Sequence, residues 1–388
     1  MLTRRGWALT IGGIVLAVAG RMLGLLELYV LAAGCWALMA AALVYLALRP
    51  ADVEATRTLA PARVQAGDES RVELAVRNRG ARPTPVVELR DPVDGGPRRA
   101  RLLLAPVPPG ATELAHYRIP SERRGVLSVG PLEARRFDPL SLATSARSVA
   151  PQSELVVYPL VEDLLPLPHA PGDDRRGGVR RATAVGATGE DFYALRPWAV
   201  GDDLRRVHWP STARRDELMV RQHDIPWQGR ATVVLDVRAR FHDEESLEQA
   251  VSAAASIAVS CGRGGSLVRL VTTDGGDSGF GSGSAHLEAL LERLARVQAG
   301  HGELPDLPKT TGSMALVVTA DVPPADLSHL ARLGGQPTSL ALVVIARAGR
   351  QAPAASLGTA VLVGTGEALA PQWNRSMAAM GVMRGAVG

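Results

Sequence analysis

Residues 230–236 read Arg-Ala-Thr-Val-Val-Leu-Asp, a short run of apolar and β-branched residues that ends in a carboxylate. The segment from Asp243 to Cys261 follows with small and apolar residues at helical spacing, and Asp243 stands where a helix N-cap is expected. Strand-like and helix-like stretches then alternate at 267–272, 285–298, 314–321, 325–333, 340–345 and 360–363. This alternation predicts a mostly parallel sheet with helices on both faces.

Two aspartates lie at the carboxyl ends of predicted strands. Asp236 ends the first strand of this α/β domain, for which we expect bounds of 229–370, and Asp321 ends the third. Open α/β sheets place their ligands beyond the carboxyl ends of the strands. The two carboxylates therefore mark the edge at which we expect a site.

The segment Gly189–Arg214, just before this domain, concentrates charged and aromatic side chains in a chain with only 4% aromatic residues. Its order of residues resembles the signature of the DUF58 family, whose biochemical activity is not settled. In that signature an arginine, an aromatic residue, Gly-Asp-Asp, an arginine, a tryptophan and Ala-Arg follow one another. The matching positions are Arg196, Trp198, Gly201, Asp202, Asp203, Arg205, Trp209, Ala213 and Arg214.

Local chemistry predicts how this signature is used. Gly201 permits a tight turn, and Asp202 or Asp203 is placed to cap a helix that begins near Leu204. Arg205 and Arg214 offer planar forks that pair with carboxylates. We expect Trp209 to be buried against the following domain. The segment is then either an internal Asp–Arg network that fixes the loop to the sheet, or a surface that binds a partner.

A catalytic use of the same segment is a further alternative. His208 stands three residues before Ser211, and a nucleophile beside a base is what covalent catalysis requires. A third member of such a site is not identifiable from the sequence. A hydrolase that works at Asp202, Asp203 and His208 therefore remains the alternative to a binding role.

Residues 51–165 change to a period of two. Arg71–Asn78 alternates polar and apolar residues as a half-buried strand does, and several such runs are separated by turn residues. Short strands at this spacing predict a β-sandwich-like domain. Two strings here are also similar to DUF58 proteins: Arg124-Gly125 to Gly130-Pro131, and the turn 138–142, in which Leu140 and Ser141 replace the family's Phe and Gly.

Residues 1–50 are mainly apolar and predict two membrane-spanning helices joined as a hairpin. Trp7–Gly20 and Met22–Leu48 are apolar apart from Glu27, and a spanning helix needs about 20 such residues. A cleaved signal peptide is the alternative, but a polar mature start does not follow the first stretch. Arginines precede the first helix and follow the second, so the positive-inside rule places the soluble part in the cytoplasm.

Composition limits the remaining classes of function. The 43 basic and 39 acidic residues nearly balance, which argues against nucleic-acid binding. Cys35 and Cys261 are the only cysteines, and neither a disulfide nor a metal site is expected from them. Residues 166–228 form a linker that includes the signature. The apolar tail 371–388 is either a last helix against the sheet or a short disordered end.

The resemblance to DUF58 implies that the α/β domain is similar to a von Willebrand factor A domain. Such domains hold Mg²⁺ through Asp-x-Ser-x-Ser after the first strand, whereas this chain has Arg238 and Arg240 at the two serine positions. Guanidinium groups repel a cation that requires oxygen ligands. We therefore expect a degenerate site without Mg²⁺ and without another cofactor, in which Asp236 and Asp321 are acidic partners for the two arginines.

The combined interpretation is a multidomain protein: a transmembrane hairpin, a β-sandwich and a von Willebrand A-like domain. We expect a non-catalytic adaptor in the cell membrane. The resemblance implies a MoxR-type AAA+ ATPase as its partner, and the chain carries no Walker-type phosphate loop of its own. The client protein is not defined by the sequence, and a purely structural envelope protein is the remaining alternative.

Overall fold

The computed structural model describes residues 1–96, 98–167, 194–198, 207, 209–215, 217–222, 229–300, 312–332, 339–346 and 359–385. The chain divides into two compact units. The first consists of Met1–Val161 with Ala289–Gln298, and the second of Glu162–Glu288 with Ala299–Gly388. Apolar helices and mainly antiparallel sheets make up most of the first unit, and a parallel sheet forms the centre of the second.

The chain begins with two apolar helices, α1 (Arg4–Leu23) and α2 (Leu26–Leu48). Thr3 caps α1 by accepting a hydrogen bond from the Gly6 amide at 3.1 Å. Gly24 ends α1 with a φ of 68°, a left-handed conformation that suits glycine and allows the chain to reverse. Both helices are long and apolar enough to cross a membrane, as the sequence predicts.

Ten strands of the first unit form three sheets, in the orders β1-β3-β6, β2-β10-β7 and β5-β4-β8-β9. The strands are β1 (Val53–Ala60), β2 (Arg63–Gln65), β3 (Glu69–Asn78), β4 (Val87–Pro92), β5 (Arg99–Leu104), β6 (Thr112–Pro120), β7 (Gly125–Val129), β8 (Leu132–Phe137), β9 (Thr144–Ala150) and β10 (Ser153–Tyr158). The predicted alternation is confirmed in β3, where Val72, Leu74 and Val76 are fully buried. All three sheets contribute side chains to one core.

A buried ion pair connects the strands of this unit. The Arg57 guanidinium on β1 donates two hydrogen bonds to the Asp91 carboxylate on β4, at 3.0 and 2.6 Å. Tyr117 on β6 donates to the same carboxylate at 2.7 Å, and Arg57 also reaches the Val129 carbonyl at 3.0 Å. The two charged side chains are 1% and 0% exposed. One arginine therefore joins strands that belong to all three sheets.

The glycine at position 130 is explained by steric contact with the buried Arg57 guanidinium. Gly130 adopts a φ of 101°, and a Cβ atom there would lie 2.7 Å from a guanidinium nitrogen of Arg57. Such a distance is below any normal contact, so a side chain at this position would displace the guanidinium. The glycine is required by the buried pair as well as by its own backbone conformation.

The second unit contains a five-stranded sheet in which every described pair is parallel. Its strands are β13 (Arg230–Leu235), β14 (Leu267–Thr272), β15 (Ser313–Thr319), β16 (Ser339–Ala346) and β17 (Thr359–Gly364), in the order β14-β13-β15-β16-β17. Before it come a hairpin of β11 (Ala194–Pro197) and β12 (Met219–Gln222) and, between them, helix α3 (Trp209–Arg215). Helices α4 (Glu244–Arg263), α6 (Pro324–Arg332) and α7 (Ala370–Gly385) also belong to this unit, whereas α5 (Ser284–Arg296) begins in it and has most of its residues in the first. The predicted alternation of strands and helices is confirmed.

The strand order places a switch point between β13 and β15. From β13 the chain continues to β14 on one side and then returns to β15 on the other. Doubly wound sheets bind ligands at the carboxyl end of such a point. All seven residues of β15 are buried, as expected for a central parallel strand covered on both faces. Asp243 caps α4 as predicted, accepting from the Ser246 amide at 2.8 Å.

Residues Ala370–Gly385 form helix α7 in the second unit, the first of the two alternatives predicted for the tail. Trp373 on α7 is fully buried and donates its indole hydrogen to the Leu165 carbonyl at 2.7 Å. The two carboxylate oxygens of Glu162 accept the backbone amides of Leu369 and Ala370 at 2.9 and 2.8 Å. Glu162 thus caps a helix about 200 residues later in the sequence.

We predict that Arg57→Ala strongly destabilises the first unit. Removing one partner of a buried pair leaves an uncompensated charge and typically costs about 3–5 kcal/mol. Thermal unfolding of the purified full chain in detergent would show this as a clear fall in melting temperature. Arg79→Ala is the matched control, because its 3.3 Å pair with Glu54 is exposed and should contribute at most about 1 kcal/mol. Equal losses in the two variants would contradict the assignment.

Candidate functional site

Asp236 lies directly after β13, at the switch point, and is fully buried. The side chain of Arg238 donates to both of its oxygens, from Nε at 2.9 and 3.1 Å and from a terminal nitrogen at 2.7 Å. The Arg238 amide and the Thr273 hydroxyl also donate to it, at 3.1 and 3.0 Å. The carboxylate is therefore occupied by groups of the chain itself.

Arg238 extends this pair to helix α6. Its other terminal nitrogen donates to Asp326 at 2.6 Å, and the side chain of Arg238 is only 2% exposed. Arg240 lies 3.8 Å from the same Asp326 carboxylate and is half exposed. The ring of Phe241 contacts both guanidinium groups, at 4.6 and 4.7 Å from its centre. These residues, 236, 238, 240, 241 and 326, form what we call the arginine cluster.

Electrostatics keep Arg238 charged in this buried position. Burial by itself acts to lower the pKa of the guanidinium, because a charge is costly away from water. The hydrogen bonds and negative charges of Asp236 and Asp326 together outweigh burial and raise the pKa. The arginine is thus a permanent internal cation at the carboxyl edge of the sheet.

These donors do not fit Mg²⁺. The ion requires oxygen ligands in near-octahedral geometry, whereas both oxygens of Asp236 face a guanidinium. Within the described ranges, histidine, cysteine, aspartate and glutamate side chains form no group of three suited to a metal. The Arg238 guanidinium contacts both oxygens of Asp236, the carboxylate that the sequence suggests as an acidic partner.

Sequence reasoning identified one acidic partner and missed another. The pairing of Asp236 with Arg238 was expected, but Asp326 was not, and it binds Arg238 from the first turn of α6. An acidic residue in that position is usually interpreted as favourable to the helix dipole. Asp321 follows β15 by two residues, at the same edge of the sheet.

His242 is a half-buried ionisable residue next in sequence to the arginine cluster, and both of its ring nitrogens are buried. Neither ring nitrogen has a hydrogen-bond partner at normal geometry among the described residues. Burial lowers its pKa, and the nearby charges of Asp236 and Asp243 oppose this only in part. The ring is therefore held in its neutral form near neutral pH.

The structure describes only part of the signature. Arg196 lies in β11, where its backbone pairs with Val220 of β12. Trp198 follows, is half-buried, and donates its backbone amide to the Leu218 carbonyl at 2.7 Å. Gly201, Asp202, Asp203, Arg205 and His208 lie outside the described residues, as does the helix start expected near Leu204.

The prediction that Trp209 is buried is wrong. Trp209 begins α3 and is 64% exposed. The apolar positions buried around this helix are instead Val207 and Met219, and the Met219 amide donates to the Thr212 hydroxyl of α3 at 3.0 Å. Arg214, near the end of α3, is exposed as well.

Comparison with known proteins bears on this part of the chain. Residues 194–368 match a family model, DUF58, described as "Protein of unknown function DUF58". The DUF58 match covers a little under half of the chain and includes both the signature from Arg196 onward and the arginine cluster. It includes neither the apolar helices nor the sheets of the first unit. No curated protein matches the chain.

Several solved structures share a slight likeness with a part of the chain. The CARDB domain of the PF1109 protein from Pyrococcus furiosus is 13% identical, with a TM-score of 0.22, over 28% of this chain and 93% of that one. The putative ApaA protein from Bordetella pertussis is 15% identical, with a TM-score of 0.21, over 28% and 96%. Beta-glucosidase 3B from Thermotoga neapolitana is 16% identical, with a TM-score of 0.17, over 27% and 17%. Likenesses this slight do not bear on function.

We predict that Arg238→Ala destabilises the second unit. The change leaves the buried Asp236 carboxylate without its cation, at a typical cost of about 3–5 kcal/mol, or a fall of roughly 6–20 °C in melting temperature. Differential scanning fluorimetry of the full chain in detergent measures this. Arg240→Ala is the control, since its side chain is 53% exposed and its pair is at 3.8 Å. A loss for Arg240→Ala as large as that for Arg238→Ala would contradict the central place given to Arg238.

A second prediction concerns acid sensitivity. The pKa of His242 is lowered by folding, so the unfolded chain binds the proton more readily and stability falls as the pH drops below about 6.5. His242→Gln should reduce the fall in melting temperature between about pH 7.5 and about pH 5.5. His116→Gln, at an exposed histidine, is the control. An unchanged pH profile for His242→Gln would refute this role.

Proposed function

We propose that the chain is a membrane-anchored adaptor, not itself an enzyme, that binds a MoxR-type AAA+ ATPase. The contact is made by the signature segment together with the α/β domain, which we take to be von Willebrand A-like. The observation that carries this proposal is the exposed Trp209 on α3, in the segment that resembles the DUF58 signature. The client on which such a complex acts is not identified.

A short helix that exposes both a tryptophan and an arginine is typical of a binding surface. Tryptophan and arginine are enriched among the residues that dominate interface energies, because each buries a large area on binding. Trp209 and Ala213 are four positions apart, so they share one face of α3, while Arg214 is exposed on another side of the same helix. A partner that covers this face would bury an apolar ring now in water.

The arginine cluster supports binding rather than chemistry. A carboxylate whose two oxygens already accept hydrogen bonds from Arg238 and Thr273 is poorly suited to take a proton from a substrate. Its rim is different, because Arg240 and Asp326 are partly exposed at the edge where doubly wound sheets bind ligands. The buried pair then provides rigidity, and the rim provides polar contacts to a partner.

The distribution of arginines supports a cytoplasmic location for both units. Arg4 and Arg5 lie at one end of the helical hairpin, and Arg49 lies just after the end of α2 that returns to the same side. Arg21 is the one arginine near the opposite turn, where Glu27 offsets it. Positive residues remain on the cytoplasmic side of a membrane. An ATP-dependent partner would be found there.

The proposal predicts nucleotide-dependent capture. The full chain, held in detergent or lipid nanodiscs, should retain the host's MoxR-type ATPase when ATP is present. Trp209→Ala should weaken the complex by about 2 kcal/mol or more if the ring is a central contact, which is roughly a thirtyfold rise in the dissociation constant. Binding would be measured by biolayer interferometry with the purified ATPase.

Matched variants separate a binding surface from a structural element. Leu114→Ala changes another exposed apolar side chain, on β6, and should leave binding unchanged. Asp202→Ala and Arg205→Ala test the rest of the signature, after circular dichroism has shown that both variants fold. Failure to capture the ATPase in any nucleotide state, or equal affinity for wild type and Trp209→Ala, would defeat the proposal.

A further inference from the structure

The turn between β8 and β9, residues 138–143, lies against the first residues of the chain, and we call it the docking turn. Leu2 and Ala143 form an antiparallel bridge, and the Thr3 amide donates to the Leu142 carbonyl at 2.9 Å. Gly6 on α1 has no side chain, and a methyl group there would overlap the same carbonyl oxygen. The docking turn is therefore level with the first turn of α1.

The second apolar helix holds the docking turn from the other side. Leu142 and Ala143 pack with Met39, Ala42 and Leu46 of α2 in one small apolar cluster. Arg136, at the end of β8, donates to the carbonyl oxygens of Leu46 and Arg49, where the helix ends. A cation at these unpaired carbonyls is favourable. The turn is thus fixed to both helix ends that lie opposite the Gly24 reversal.

The shape of the docking turn is set by Asp138. Its carboxylate accepts the amides of Leu140 and Ala143 at 2.9 and 2.6 Å, and the residue is only 3% exposed. Ser141 adopts a φ of 55°, in the left-handed region that favours glycine. The turn consequently presents Leu140 outward, with 54% of its surface exposed. The buried Asp138 carboxylate is thus satisfied by backbone amides of the turn itself.

Aromatic and basic side chains mark the expected water boundary at the same level. Trp7 on α1 is 57% exposed, and Tyr45 on α2 lies beneath the guanidinium of Arg49 at 5.5 Å. Arg4, Arg5 and Arg49 are exposed. Aromatic residues prefer the interfacial zone of a bilayer, and basic residues near it attract acidic lipids. Leu140 is exposed on the turn that contacts this end of the helical hairpin.

We propose that the docking turn is a second membrane contact: Leu140 enters the headgroup region, and Arg4, Arg5 and Arg49 bind the phosphate of an acidic phospholipid. This inference rests on the membrane-spanning hairpin of the proposed function. It adds that the first unit contacts the bilayer through the docking turn, and that an acidic lipid forms part of this contact.

Membrane depth is measured with single nitroxide labels on the full chain. In a Cys35→Ser, Cys261→Ala background, labels are attached at Leu140→Cys, at Val15→Cys within α1 and at Leu103→Cys on β5. Val15 and Leu103 are 59% and 78% exposed, so each label reports on its surroundings. Reconstituted chains are compared for collision with oxygen, which dissolves in lipid, and with a water-soluble nickel complex. The ratio of oxygen collisions to nickel collisions at the Leu140 label should lie between the higher ratio at Val15 and the lower ratio at Leu103.

The outcomes separate the inference from the proposed function. A lipid-exposed Val15 label with a Leu140 label as water-accessible as that at Leu103 overturns the second contact and leaves the hairpin intact. A water-accessible Val15 label would overturn the membrane hairpin and the inference with it. Gly6→Val, which forces the docking turn off α1, should make the Leu140 label water-accessible while Val15 stays in lipid.

The acidic lipid is tested separately with nanodiscs of phosphatidylcholine that contain spin-labelled phosphatidylglycerol or phosphatidylcholine as a tracer. Wild type should bind the acidic tracer in preference, and joint replacement of Arg4, Arg5 and Arg49 by Gln should lower the preference roughly two- to fivefold. The control joins Arg71→Gln, Arg79→Gln and Arg118→Gln, three exposed arginines of the sheets. Equal losses in both triple variants, or no preference in wild type, would refute the acidic-lipid contact.

Discussion

The packing at the carboxyl edge of the parallel sheet depends on the ion pair between Asp236 and Arg238. Asp236 is fully buried at the switch point between β13 and β15, where a bare carboxylate would be highly unfavourable. Arg238 neutralises it and reaches Asp326 on α6, so one guanidinium joins the end of β13 to this helix. Removing Arg238 would leave the buried Asp236 carboxylate without its cation, which is costly away from water.

The first unit uses the same solution in a different setting. Arg57 and Asp91 are as deeply buried as Arg238 and Asp236. The Tyr117 hydroxyl donates a further hydrogen bond to the Asp91 carboxylate. Buried ion pairs contribute little net stability against an apolar replacement, but they disfavour any packing that separates the partners. The Arg57–Asp91 pair therefore disfavours packings that separate β1 from β4, and Arg238 disfavours those that separate the end of β13 from α6.

Most of the architecture could be predicted from the sequence, because periodicity encodes burial. The alternation in β3, the apolar helices and the α/β alternation are local patterns, and so is the cap at Asp243. The contacts that define the sites are not local. Asp326 binds Arg238 across 88 residues and Arg57 binds Asp91 across 34, and single charges in a sequence do not reveal their partners. Trp209 was misjudged for a related reason: an aromatic residue is usually buried, and only tertiary packing shows that Val207 and Met219 take the buried positions.

The capping of α7 by Glu162 limits when the second unit can finish folding during synthesis. Glu162 and Leu165 are near its beginning, whereas Ala370 and Trp373 are near its end, yet their hydrogen bonds join the two. We call these hydrogen bonds the clasp. The region that matches DUF58, residues 194–368, includes neither Glu162 and Leu165 nor Ala370 and Trp373. During synthesis the earlier strands can pair, but the clasp cannot close until residue 373 has left the ribosome. A chain that stalls before this helix would leave the Glu162 carboxylate and the Leu165 carbonyl without these partners, so the second unit stays incomplete until α7 is made.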